Sequence, residues 1–104
     1  MKKDSFYICV QIDGKVTAQK RTGYSDGNLG VYKQCGTWIV TYIPTGQKIP
    51  ISGNPKTAKG AIKEARKQIE QRSDFRKLVE DAMKSDFYEE FQRSRYEKTV
   101  TYIF

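Results

Sequence analysis

The chain contains no histidine, and its 104 residues include only two cysteines and three prolines. Without histidine there is no Ser-His or Cys-His nucleophile pair and no imidazole general base. Zinc sites built on imidazole are excluded too, and two thiols alone cannot complete a four-ligand site. No apolar run approaches the roughly 18 residues needed to cross a bilayer. Met1-Lys2-Lys3-Asp4-Ser5 leads into the short run Phe6 to Val10 with no small-residue cleavage site, so no export signal is read there. Cys9 and Cys35 sit in apolar or aromatic runs, where a free buried thiol is the ordinary state. Reduced thiols and a cytoplasmic protein are therefore expected. The carboxylate pairs Glu80/Asp81 and Glu89/Glu90 are adjacent residues that point apart on a helix and belong to a solvated face. Catalysis, a metal and a cofactor are not expected.

Positive charge is what the chain has in excess, +7 overall, and it is unevenly placed. Residues 1–54 carry seven basic and three acidic side chains, and residues 55–72 carry six and two. Residues 73–92 reverse the sign, with three basic against six acidic side chains. A polyanion is the first partner such a pattern suggests, and its surface belongs in the N-terminal two-thirds.

Apolar Phe6, Ile8, Val10 and Ile12 alternate with Tyr7, Cys9 and Gln11, the period of a strand with one buried face. Asp13-Gly14 then signals a tight hairpin. The returning strand, 15–22, has few apolar residues and reads as an edge carrying Lys15, Lys20 and Arg21. Residues 23–30, rich in Gly, Ser, Asp and Asn, read as a loop. A short strand follows over 31–35. Residues 37–43 are almost all β-branched or aromatic, Pro44-Thr45-Gly46-Gln47 makes a turn, and 48–52 return as a strand. Asn54-Pro55 or Thr57 opens a helix over 55–70 whose apolar face is Ala58, Ala61, Ile62, Ala65 and Ile69. Ser73-Asp74 opens a second, with Phe75, Leu78, Val79, Ala82 and Met83 on one face. Ser85-Asp86 marks a bend or a third start, Asp86 and Glu89 forming a capping box. Lys98 to Phe104 has strand composition.

The expected fold is α+β, a single domain over 1–104: a small antiparallel sheet of about four to six strands packed against two or three helices. A β-rich basic part over 1–53 precedes a helical part over 54–95 and a terminal strand within 96–104. Lys20, Arg21, Lys48, Lys56, Lys59, Lys63, Arg66 and Lys67 are the candidate phosphate contacts. Tyr7, Tyr24, Tyr32, Tyr42 and Gln47 are candidates for stacking or base-edge contacts.

Residues 36–69 add a resemblance. Gly36-Thr37-Trp38, then Pro44-Thr45-Gly46-Gln47-Lys48, then Lys56-Thr57-Ala58-Lys59 leading to Ala61-Ile62-Lys63-Glu64-Ala65, resemble the arm-site DNA-binding domain of phage and transposon integrases, the tyrosine recombinases. The resemblance implies a small sheet backed by a C-terminal helix, with Trp38 packed on the alanine-isoleucine face. It also implies that the exposed sheet face enters the major groove, placing Thr41, Gln47 and Lys48 at the DNA. The extra N-terminal hairpin, Asn54-Pro55 and the acidic helical tail depart from that pattern, and no recombinase catalytic domain is read within these 104 residues.

Together these features point to a small basic accessory protein of phage or mobile-element type that binds DNA through a sheet-plus-helix surface. The alternative is a protein-binding module, such as a phage-encoded inhibitor of a host protein or nucleoprotein complex. Phe87, Tyr88 and Phe91 of the acidic helical region would then make the contact.

Overall fold

The computed structural model describes residues 1–100, with side chains to Lys98. Five strands, β1 (Lys2–Ile12), β2 (Lys15–Asp26), β3 (Leu29–Gln34), β4 (Thr37–Tyr42) and β5 (Gln47–Ile49), form one antiparallel sheet in sequence order. Three helices follow: α1 (Ala58–Gln71), α2 (Phe75–Met83) and α3 (Asp86–Val100).

Two-residue turns set the register. Asp13-Gly14 (φ 51° and 78°) joins Ile12 to Lys15, and Cys35-Gly36 (φ 50° and 78°) joins Gln34 to Thr37. Both central residues have positive φ, the geometry whose twist matches that of the flanking strands. Cys35 is therefore an exposed turn residue, not a buried thiol; Cys9 is half-buried, and neither forms a disulfide. A left-handed conformation costs an ordinary L-residue about 1–2 kcal/mol, and asparagine tolerates it better. Cys35→Asn should stabilise the domain by about 0.5–1 kcal/mol, seen as a higher urea midpoint at unchanged slope.

The expected loop over 23–30 is mostly strand. β2 pairs with β1 from Lys15 to Ser25 and with β3 only at Tyr24, Ser25 and Asp26, leaving Gly27-Asn28 as the turn. Polar composition misleads there because Ser25 is buried and satisfied, its hydroxyl donating to Asp4 Oδ2 at 2.8 Å. At Gly23 a Cβ would strike the Val31 carbonyl, so β2 can cross β3 closely only with glycine.

From that point the β1–β2 hairpin curls over the sheet. Phe6 and Ile8 cluster with Tyr32, Val10, Ile39 and Ile43, so β1 covers one face of β3 and β4. The Cys9 N–H donates to the Gly46 carbonyl at 2.8 Å, tying the outer edge of β1 to the β4–β5 turn. On the opposite face, Leu29, Val31, Val40 and Ile49 pack against Ala58, Ala61, Ile62 and Ala65 of α1, with Trp38 half-buried beside them. Thr57 caps α1, its Oγ1 accepting the Gly60 N–H at 3.0 Å.

α3 covers the edge of β2 that has left β3. The Ala18 N–H donates to Ser94 Oγ at 3.0 Å, Lys98 Nζ donates to the Ala18 carbonyl, and Phe91 packs on Val16 and Ala18. This contact corrects the terminal strand expected within 96–104. Residues 96–100 are helical because α3 runs on to cap the β2 edge, outweighing the β propensity of Thr99 and Val100; residues 101–104 lie outside the described residues. Ser85, not Asp86, precedes the first turn of α3: its Oγ accepts the Tyr88 N–H at 3.3 Å and donates to the Ala82 carbonyl at 2.6 Å.

Candidate nucleic-acid interface

α1 buries one face and turns its cations outward. Ala58, Ala61, Ile62 and Ala65 are buried, whereas Lys59, Lys63, Arg66 and Lys67 are exposed. Spacings of three, four and seven put Lys59, Lys63 and Arg66 on one line, with Lys67 beside it. Lys56 stands exposed just before the cap. Among the described residues no carboxylate lies within salt-bridge distance of Lys56, Lys59, Lys63 or Lys67. Arg66 differs, because its guanidinium meets Asp26 Oδ2 at 3.0 Å and pins this flank of α1 to the end of β2.

That pin brings a sheet surface alongside the helix. Tyr24 shares its face with Asp26, and register places Lys3 opposite Tyr24, Ser5 opposite Thr22 and Tyr7 opposite Lys20. Lys3, Ser5, Lys20, Thr22 and Tyr24 are exposed there, with Ser5 Oγ and Thr22 Oγ1 3.2 Å apart. Lys3 was not among the sequence candidates; its signal is the cross-strand register, which needs the full pairing of β1 with β2.

Other candidates lie elsewhere. Thr41 is 1% exposed, and its Oγ1 donates to the Gln47 carbonyl at 3.0 Å. It shares the β3–β4 face that β1 covers, so it cannot meet DNA. Arg21 lies on the inner side of the hairpin, its guanidinium 5.8 Å from the Tyr32 ring centre and bonded to Gln19 Oε1 at 3.0 Å. Tyr32 is buried, and burial, more than Arg21 opposes it, pushes its hydroxyl above the ordinary tyrosine range. Gln47 and Lys48 are exposed on β5, where register puts Gln47 on the Tyr42 face that packs on α1 and Lys48 on the opposite Thr41 face. The expected single surface is thus two: a cationic ridge with its adjoining sheet face, and a separate region at β5.

No family model, curated protein or solved structure matches the chain. Among the described residues no group of three or more cysteine or acidic side chains is placed to hold a metal ion, and no helix is long and apolar enough to cross a membrane. Burial, with Glu90 adding to it, raises the Cys9 thiol above its ordinary range, which leaves it protonated at neutral pH.

The partner-contact candidates also separate. Phe87 is 51% exposed, Tyr88 is half-buried, and Phe91 is fully buried. Phe91 belongs to the core because the turn of α3 that carries it, one turn on from Phe87 along the same face, lies against β2.

Proposed function

We propose that the protein binds duplex DNA through the phosphate backbone, using the ridge of Lys56, Lys59, Lys63 and Lys67 with Lys3 and Tyr24 of the adjoining sheet face. The supporting observation is that Lys59, Lys63 and Lys67 project from a helix seated on the core, with Lys56 just before its cap, and that these four face no carboxylate of the described residues. Residues 59–67 span about 12 Å of helix, comparable to three or four phosphates along one strand at about 3.4 Å of rise each. Thr41 is buried and Gln47 lies elsewhere, so the ridge offers charge without side chains aimed at base edges, and recognition is dominated by the backbone. An accessory role at a phage or mobile element is the context that the resemblance of residues 36–69 supports.

The test is anisotropy of a labelled random duplex and a single strand across salt. The four ridge lysines alone contribute about −3.6 to the slope of log K against log salt on duplex, or about a 100-fold loss of affinity between 50 and 200 mM. A micromolar Kd at low salt with at least that slope is the expected result. A duplex that stays unbound at about 50 mM salt rejects the proposal.

A further inference from the structure

Of the cations on α1, Lys59, Lys63 and Lys67 have no carboxylate within salt-bridge distance among the described residues. Arg66 is the exception. Its Nη2 meets Asp26 Oδ2 at 3.0 Å and donates to the Asp26 carbonyl at 3.4 Å. Arg66 follows Lys63 by three residues and Lys59 by seven, which puts it on the line of the ridge. Asp26 reaches it from the end of β2, two residues after Tyr24 and on the same face of the sheet. The ion pair thus stands where the helical ridge meets the sheet face. Half of the Arg66 side chain (50%) and 43% of the Asp26 side chain remain exposed, so a duplex laid along the ridge meets both.

We propose that Asp26 attenuates DNA binding by holding Arg66 out of the set of phosphate contacts, an inference that rests on the ridge reading above. A free guanidinium can direct two N–H groups at one phosphate, which makes Arg66 the strongest phosphate contact α1 could offer. Paired with a carboxylate, it adds no net charge to the surface. A phosphate that displaced Asp26 would leave the freed carboxylate beside the DNA backbone, where like charges repel, so the exchange gains little. Lys59, Lys63 and Lys67 have no such competitor. Both elements also have other anchors. Ala58, Ala61, Ile62 and Ala65 seat α1 on the core, and Asp26 pairs with Leu29 of β3. Removing the carboxylate therefore frees the Arg66 side chain and leaves the ridge in place.

The test is a double-mutant cycle read by anisotropy of the labelled random duplex across about 50 to 200 mM salt. Asp26→Asn keeps the shape of the side chain and removes its charge. It should bind about 5-fold or more tighter at about 50 mM salt, with a slope of log K steeper by about 0.9, one further phosphate. Asp26→Asn/Arg66→Gln should return to within about 2-fold of wild type at the wild-type slope, because the pair it removes was neutral. Asp13→Asn makes the same charge change in the exposed turn at the far end of β2 and should gain less than about 2-fold. An unchanged slope in Asp26→Asn, or an equal gain in Asp13→Asn, overturns the proposal. So does a double variant that loses about 0.9 of slope relative to wild type, because Arg66 then already holds a phosphate. In each of those cases the wild-type protein still binds and the ridge reading stands. A wild type and Asp26→Asn that both leave the duplex unbound at about 50 mM salt overturn both proposals. Melting curves check folding; should Asp26→Asn not fold, Asp26→Ser removes the same carboxylate and carries the test.

Discussion

Phe91→Ala will cost about 3–5 kcal/mol of stability. The ring is fully buried and packs on Val16 and Ala18, with Tyr7 and Cys9 beside it. It also fills the space beside Gly46, whose Cβ, were there one, would run into the ring and lie 2.8 Å from the Cys9 nitrogen. One side chain therefore joins α3 to the β1–β2 hairpin and to the turn where β1 meets β5. Truncation leaves a cavity that these elements cannot easily collapse into, since Gly46 has positive φ (67°) and its carbonyl is held by Cys9. Against a typical total of 5–15 kcal/mol, the melting temperature should fall by roughly 15–30 °C. Phe87→Ala, four residues away and half exposed, should change stability by less than about 0.5 kcal/mol. Urea denaturation of both variants decides the matter: comparable losses would show that Phe91 does not carry the junction.

That contrast shows which features were legible in the chain. Alternation in β1, the Asp13-Gly14 turn, the Thr37–Tyr42 strand and the alanine face of α1 all follow from local periodicity and turn chemistry. The α+β class follows from their order. What was hidden depends on distant partners. Phe87 and Phe91 form one apolar stripe in sequence, and only the position of the β2 edge determines which of them is buried. Thr41 alternates with buried Val40 and so reads as an outward polar residue; it is buried because Phe6 and Ile8 need cover and bring β1 across that face. Residues 23–26 read as loop because their pairing partner lies some twenty residues earlier. The helix at 96–100 overrides local β propensity through Ser94 and Lys98, which bond to Ala18 near the start of the chain. For the candidate interface, the lysine ridge was legible from helical spacing, while Lys3 and the displacement of Arg21, Gln47 and Lys48 were not.

Lys59→Glu/Lys63→Glu/Lys67→Glu will weaken DNA binding about 100-fold or more while leaving the fold intact. Each reversal removes two units of charge, so the overall balance falls from +7 to +1. Three of the four ridge contacts become repulsive, and the ridge's share of the salt slope should shrink from about −3.6 to about −0.9. At about 50 mM salt the affinity should drop 100-fold or more. All three positions are exposed, and the introduced carboxylates would repel one another along the helix by only about a few tenths of a kcal/mol per pair. The melting temperature should thus move by only a few degrees. Net charge alone would also weaken binding, so the comparison must hold it constant. Lys15→Glu/Lys77→Glu/Lys84→Glu makes the same change at exposed positions away from the ridge. If binding is local to α1, this variant loses on-rate but keeps most of the salt slope. Equal losses in the two triple variants would mean that the protein attracts DNA through its overall charge, and that α1 is not the contact surface.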